Sequence, residues 1–227
     1  MTLKRIAIPG LVALLGLASS AGAAAFNFAT FNEVSGARPF SFTNNTTSAS
    51  LGYNTTVPVL FDFTNPTGLS TADRPATLTI NTNSSNSPAT VNGSLLDESI
   101  NIATTLHITE TSTGKNLLTM TFTGDLDGPS AGPNAQITGA DNNSSNPRTV
   151  TFTSDYLTFT APGNSYTLSL SSLSPVLSIG PGGFLNSFAA DINGSFSGNA
   201  VPEPAILSAL AVAGASLLRR RRALAGR

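Results

Sequence analysis

Residues 100–122 read INIATTLHITETSTGKNLLTMTF. Apolar side chains fall on alternate positions at Ile100, Ile102, Leu106 and Ile108, while Asn101, Thr105, His107 and Thr109 take the other parity. A period of two is that of a strand with one face buried and one face wet. The alternation resumes at Leu118, Met120 and Phe122, after the linker Thr111-Ser112-Thr113-Gly114-Lys115. Its glycine suits a tight reversal, so the stretch predicts an antiparallel hairpin.

Working outward, Val57 to Phe63, Ala76 to Ile80, Val150 with Phe152, Leu157 with Phe159, and Tyr166 with Leu168 and Leu170 read as further strands. Phe184, Phe188, Ile192 and Phe196 mark a last sheet region. Turn-rich segments lie at Asn81 to Pro88, Gly128 to Pro133 and Asp141 to Pro147. Many short strands with no helical period between them predict an all-β fold, a single antiparallel β-sandwich of jelly-roll type. No fixed repeat is visible, which argues against a β-helix or a propeller.

The predicted β body, residues 26–200, carries four cations, Arg38, Arg74, Lys115 and Arg148, against eleven carboxylates, a net charge near −7. Such a body repels nucleic acid and anionic lipid. The chain has no cysteine, so neither disulfides nor thiol chemistry contribute, and stability must come from burial.

Both ends have a different character. Lys4 and Arg5 precede an apolar run, Ile6 to Leu17, and small residues follow at Ala21-Gly22-Ala23 and Ala23-Ala24-Ala25. That order predicts a secretory signal peptide, residues 1–25, cleaved after Ala23 or Ala25. Residues 201–227 hold Val201-Pro202-Glu203-Pro204, an uncharged and mainly apolar run Ala205 to Leu218, and Arg219, Arg220, Arg221 and Arg222. Prolines are tolerated in a first helical turn and Glu203 suits the positive end of the dipole, so a helix is expected from near Pro204. The 14 residues from Ala205 to Leu218 reach roughly 21 Å, short of a ~30 Å hydrocarbon core. The arginines would stay on the cytoplasmic side and leave the body outside. Ala205, Ala209 and Ala213 form a small-residue stripe that lets a second helix approach closely.

This tail resembles the PEP-CTERM sorting signal of Gram-negative bacteria: Pro202-Glu203-Pro204, a short apolar helix and a basic end at the C-terminus. The resemblance covers only the last 27 residues. It implies recognition at Pro202, Glu203 and Pro204 by an exosortase-like membrane enzyme, transient insertion in the inner membrane, and removal of the helix and basic end. It also implies an association with exopolysaccharide and biofilm. The expectation is an exported cell-surface or extracellular-matrix protein; the alternative is an extracellular carbohydrate-binding module.

No catalytic set is apparent, and no cofactor or metal is expected. His107 is the only histidine and lacks partners at a useful spacing. Asp97 and Glu98 are adjacent, so in a strand they point to opposite faces and make a poor acid/base pair. Asp125, Asp127 and Asp141, with Asn134, Asn142 and Asn143, are hard-oxygen groups that could hold calcium only if loops gathered them, and no calcium-loop motif is present. Alternating threonines, such as Thr119/Thr121/Thr123, would form ladders if their strands aligned, but threonine is simply favoured on the wet face of a sheet. Glycan recognition commonly uses exposed aromatic platforms, and this chain has no Trp and only Tyr53, Tyr156 and Tyr166 beside 13 Phe. Asn143 and Asn193 open Asn-x-Ser sequons with an acid two residues earlier, Asp141 and Asp191, and are the candidate glycosylation sites.

Overall fold

The structure is a computed structural model that describes residues 25–53, 56–64, 67–81, 85, 87–143, 145 and 148–202. It contains strands β1 (Phe26–Glu33), β2 (Phe40–Asn44), β3 (Ala49–Tyr53), β4 (Val57–Phe63), β5 (Arg74–Asn81) and β6 (Thr90–Asn92). The second half adds β7 (Leu95–Glu110), β8 (Asn116–Pro129), β9 (Ala135–Ala140), β10 (Val150–Thr153), β11 (Leu157–Ser174) and β12 (Phe188–Pro202). No α-helix occurs among the described residues, and none there is long and apolar enough to cross a membrane. The expected signal segment up to residue 24, including Ala23, and the tail from Glu203 onward lie outside the described residues.

All pairings are antiparallel and belong to one sheet. Its path runs β1-β4-β5-β7-β8-β9-β11-β12, and β12 pairs β1 again, so the ladder closes on itself. The β2-β3 hairpin hangs on the first residues of β12, β10 joins β8, and β6 joins β7. Closure removes most free edges, the positions where a sheet would otherwise pair with another chain.

The expected hairpin forms: β7 and β8 face each other with Leu106 opposite Met120 and Ile108 opposite Leu118, and Gly114 takes φ 69° in the turn. One residue departs from the reading. Ile102 was expected on the inward face with Ile100, yet it is 38% exposed. Between the pairs Ile100–Gly124 and Thr104–Phe122, three residues of β7 oppose one of β8, so Ile102 lies in a bulge and turns outward. A second departure is continuity. The two segments predicted around Leu157–Phe159 and Tyr166–Leu170 are one strand, β11, whose register shifts between Thr160 and Ser165. Phe184, expected within the last sheet region, instead follows a 3₁₀ turn at Pro181–Gly183 and is buried there.

The ring encloses one core. Eleven of the 13 Phe are buried, and Phe26 and Phe159 pack against them. Phe28 is central, with ring centroids 5.1 Å from Phe152, 4.8 Å from Phe159 and 6.3 Å from Phe196. Tyr166 is buried too, whereas Tyr156 is half-buried beneath Arg74 and Lys115.

β12 carries the ladder through Val201 and Pro202, which pair with Thr158 and Leu157. Ending on proline fits, because a residue without an N–H is tolerated where pairing stops. Phe26, at the start of β1, pairs with Gly198 near the end of β12. The chain therefore enters and leaves the body at the same end of two adjacent strands.

Candidate functional site

Register, rather than sequence proximity, assembles the most chemically varied surface. Outward residues of successive strands line up in two rows that cross the sheet. One row is Ser99 (β7), Asp125 (β8), Thr138 (β9), Thr167 (β11), Ser195 (β12), Thr30 (β1) and Asp62 (β4). Beside it run Asp97, Asp127, Gln136, Ser169, Asn193 and Asn32, two residues along the same strands. Seven strands at ~4.8 Å spacing make the first row roughly 29 Å long. Gln136, Ser169, Asn193 and Asn32 are exposed, and the central residues of the other row are half-buried.

Two adjoining grooves lie over the β8-β9-β11 part of this belt. The larger, of about 470 Å³, is lined by Asp127, Asn134, Gln136 and Ser169 together with Leu95 and Pro129. The second, of about 270 Å³, is lined by Asp125, Thr138, Asn143, Arg148 and Thr167. Neutral hydroxyl and amide groups make up most of the polar lining, and no aromatic ring lies on the floor except Tyr166, whose side chain is buried.

Charges stand at both ends of the belt, and Asp191, two residues before Asn193 on β12, flanks its middle and accepts the Arg38 N–H at 2.9 Å. Arg148 reaches Asp125 through Nε at 3.1 Å and through a second, terminal nitrogen, which also donates to Ser99 Oγ at 3.1 Å. Ser99 in turn donates to Asp125 at 3.0 Å. Gln136 Nε2 donates to Asp127 at 3.2 Å. Asp97, opposite Asp127, has its pKa raised by burial and then by the negative charges of Asp125 and Asp127. At the far end Asp62 is raised by burial and by the carboxyl of Asp73, which lies against it. Arg148 is the cation of this region, and Asp125 holds it in two bonds.

The expected candidates distribute as follows. Asn143 is exposed on the rim of the second groove, and Asn193 is exposed in the belt, where its side-chain oxygen accepts the Glu33 N–H at 3.3 Å. Asp125, Asp127 and Asp141 do not gather. Asp141 instead accepts the backbone N–H groups of Gly163 at 2.7 Å and Asn164 at 3.0 Å. Among the described residues, no three His, Asp or Glu side chains come together as a metal site. Asp97 and Glu98 point to opposite faces as expected, Asp97 half-buried on the belt and Glu98 fully buried. His107 lies on the outer face of β7, with Nδ1 2.9 Å from Thr119 Oγ1. Pro202 closes β12, and Ala25 is exposed just before β1. Glu203, Pro204 and Arg219 to Arg222 lie outside the described residues.

Thr30, Gln136, Thr138, Thr167, Ser169 and Ser195 were not singled out by sequence reading. The visible trace of them is the alternation Thr167/Ser169/Ser171 and Ser195/Ser197 opposite apolar positions, which marks an outer face but not its neighbours. No protein-family model matches this chain, nor does any curated protein or solved structure.

Proposed function

We propose that this is an exported, non-enzymatic protein of the cell surface or extracellular matrix, sorted through its C-terminal segment by an exosortase-like membrane enzyme. The observation that carries the reading is the ordered signal Pro202-Glu203-Pro204, Ala205 to Leu218 and Arg219 to Arg222, matched at the other end by Lys4, Arg5 and the apolar run Ile6 to Leu17. The apolar run is short for a lasting anchor, so it serves as a handle in the inner membrane that is removed after recognition. Loss of both ends converts a nearly neutral precursor into an acidic body. That body, a sandwich-like wrap of the closed sheet, meets exopolysaccharide outside the cell and does not bind nucleic acid.

Two structural features support this placement. Ala25 and Pro202 flank adjacent strands at one end of the body, so both membrane-handled segments depart from one pole and leave the remaining surface facing away from the membrane. Pro202, the first residue of the proposed recognition tripeptide, is the last rung of β12.

The test is replacement of Pro202, Glu203 and Pro204 by alanine in an epitope-tagged chain expressed in its native host. We expect a tail-bearing form to accumulate in the membrane fraction, with most release lost, and mass spectrometry of the wild type to show neither the signal segment nor the arginines. Unchanged processing and release would refute the sorting reading. A second reading, a carbohydrate-binding module, is favoured by the belt and its grooves.

A further inference from the structure

We propose that the belt crossing β9, β11, β12 and β1 binds an uncharged polysaccharide chain that lies across the strands. The inference rests on the surface-protein reading only for where the polymer is met. The polar array has the shape of a strip. Thr138, Thr167, Ser195 and Thr30 form one rung-to-rung row, and Gln136, Ser169, Asn193 and Asn32 form the next. Rows stand roughly 7 Å apart, two residues along a strand, and neighbours within a row about 4.8 Å apart. A strip of this kind presents hydrogen-bonding groups at intervals along a line, which suits an extended polymer better than a compact ligand.

The chemistry narrows the class. A hydroxyl both donates and accepts, and an amide side chain offers a donor and an acceptor on one plane, so serine, threonine, asparagine and glutamine together match sugar hydroxyls in either sense. Held in a sheet and short in reach, most of these side chains have little freedom left to lose on binding, which lowers the cost of association. Aromatic stacking is absent from the strip, because the phenylalanines fill the core. The contacts are then polar and water-bridged, and affinity arises by repetition along the polymer.

Charge decides between polymers. Asp97, Asp125 and Asp127 stand at one end of the strip, Asp62 at the other and Asp191 beside its middle, while Arg148 is engaged by Asp125. A uronate or sulfated polymer would meet this field with repulsion, whereas an uncharged one meets hydroxyls and amides. The position of the grooves agrees, since they lie over Gln136, Thr138, Thr167 and Ser169, the part of the belt nearest its acidic end.

The experiment is native gel electrophoresis of the processed protein, purified from its host, through gels containing dextran, laminarin, hydroxyethylcellulose or galactomannan, with alginate as the anionic probe. Retardation by at least one neutral polymer, none by alginate and little change with added salt are expected. The double variant Thr138→Val, Thr167→Val keeps shape and β preference while removing two hydroxyls, and it should bind about tenfold more weakly. Gln136→Ala, at an exposed position, serves as a second variant should that pair disturb the fold, and it should weaken retardation in the same direction. Absence of retardation in every neutral gel, retardation by alginate alone, or variants of unaltered fold that bind as the wild type does would each overturn the proposal. Its failure is separable from that of the sorting reading: lost binding with an intact cleavage pattern sinks the belt alone, and binding by a chain whose tail stays uncut sinks the sorting alone.

Discussion

Glu98 and Glu110 lie on the same strand, with the same parity, and both are buried, yet their acidities move in opposite directions. Glu98 accepts the Leu185 N–H at 2.6 Å and contacts the Ser85 side chain, but its Oε1 has no partner, so burial dominates and raises its pKa. Glu110 accepts from Thr113, from Tyr156 Oη at 2.8 Å and from Arg74 at 3.0 Å, and these donors lower its pKa. Linkage gives the two opposite signs. For Glu98 the folded state holds its proton more tightly, so stability is full below the unfolded pKa near 4.5 and falls as pH rises from there to the raised value. Glu110 contributes stability that is present above 4.5 and is lost as pH falls through its lowered value. In urea unfolding, Glu98→Gln should remove the Glu98 share of the decline above pH 4.5 and be at least as stable as the wild type at pH 7. Glu110→Gln should lose about 1 kcal/mol at pH 7, a figure reduced by the exposed rim of the Arg74 contact, and little at pH 3. The parity of Leu96, Glu98 and Ile100 already places Glu98 on the apolar face. What sequence could not supply is the donor set, because Leu185 and Tyr156 arrive from remote segments.

Among the elements, β7 and β8 were the most legible because both faces of the hairpin alternate cleanly and the turn carries its own glycine. The reading failed where the period itself breaks. Alternation alone cannot signal the bulge that turns Ile102 outward, since the residues on either side keep the same parity. β2, β3, β6 and β9 were missed because they are short, and in β9, Ala135–Ala140, only Ile137 is a large apolar residue, whereas β1 is eight residues long but its alternation breaks at the register shift between Asn27 and Ala29. Alignment of the threonines was equally beyond a single strand's pattern. The structure places Thr79, His107, Thr119 and Thr153 in one row and Asn81, Thr105, Thr121 and Thr151 in the next. The belt was hidden in the same way, because its residues come from strands up to 165 positions apart in number yet adjacent in register, as Ser195 of β12 and Thr30 of β1 show.

One element-level contact depends on a glycine for space alone. A Cβ at Gly124 of β8 would lie 2.1 Å from Tyr166 Oη and 2.4 Å from the Thr138 carbonyl oxygen. Tyr166 occupies that gap to donate to the Thr123 carbonyl at 3.1 Å, and burial holds its phenol well above the usual acidity range. Gly124→Ala should therefore destabilise by about 1–3 kcal/mol through overpacking, read as a lower urea midpoint with an unchanged slope. Adding Tyr166→Phe should restore only part of the loss, since the Thr138 carbonyl remains in the way.

At the scale of the molecule, the closed ring makes the last strand indispensable. β12 pairs β11 along most of its length, β1 over residues 193–198 and β2 over residues 188–190. Until it docks, β1 and β11 each keep an open edge and the Phe28 cluster lacks Phe196. Contacts between β1 and β12 span some 160 residues, so closing the ring carries a large loop entropy and should make folding slow, on the order of milliseconds to seconds. Under the proposed export and sorting, β12 would be the last part of the body to emerge, so completion of the fold would immediately precede presentation of the proposed recognition tripeptide. A chain ending at Ser187 should accordingly lack a cooperative unfolding transition and be cut rapidly by protease, whereas one ending at Pro202 should unfold at the midpoint of the processed protein. Phe196→Ala should fall between them, retaining the fold with a loss of about 3–5 kcal/mol, because it empties the site where β1, β10 and β12 meet. Cooperative unfolding of the shorter chain would mean that the ring is stable while open, and would separate folding of the body from delivery of its tail.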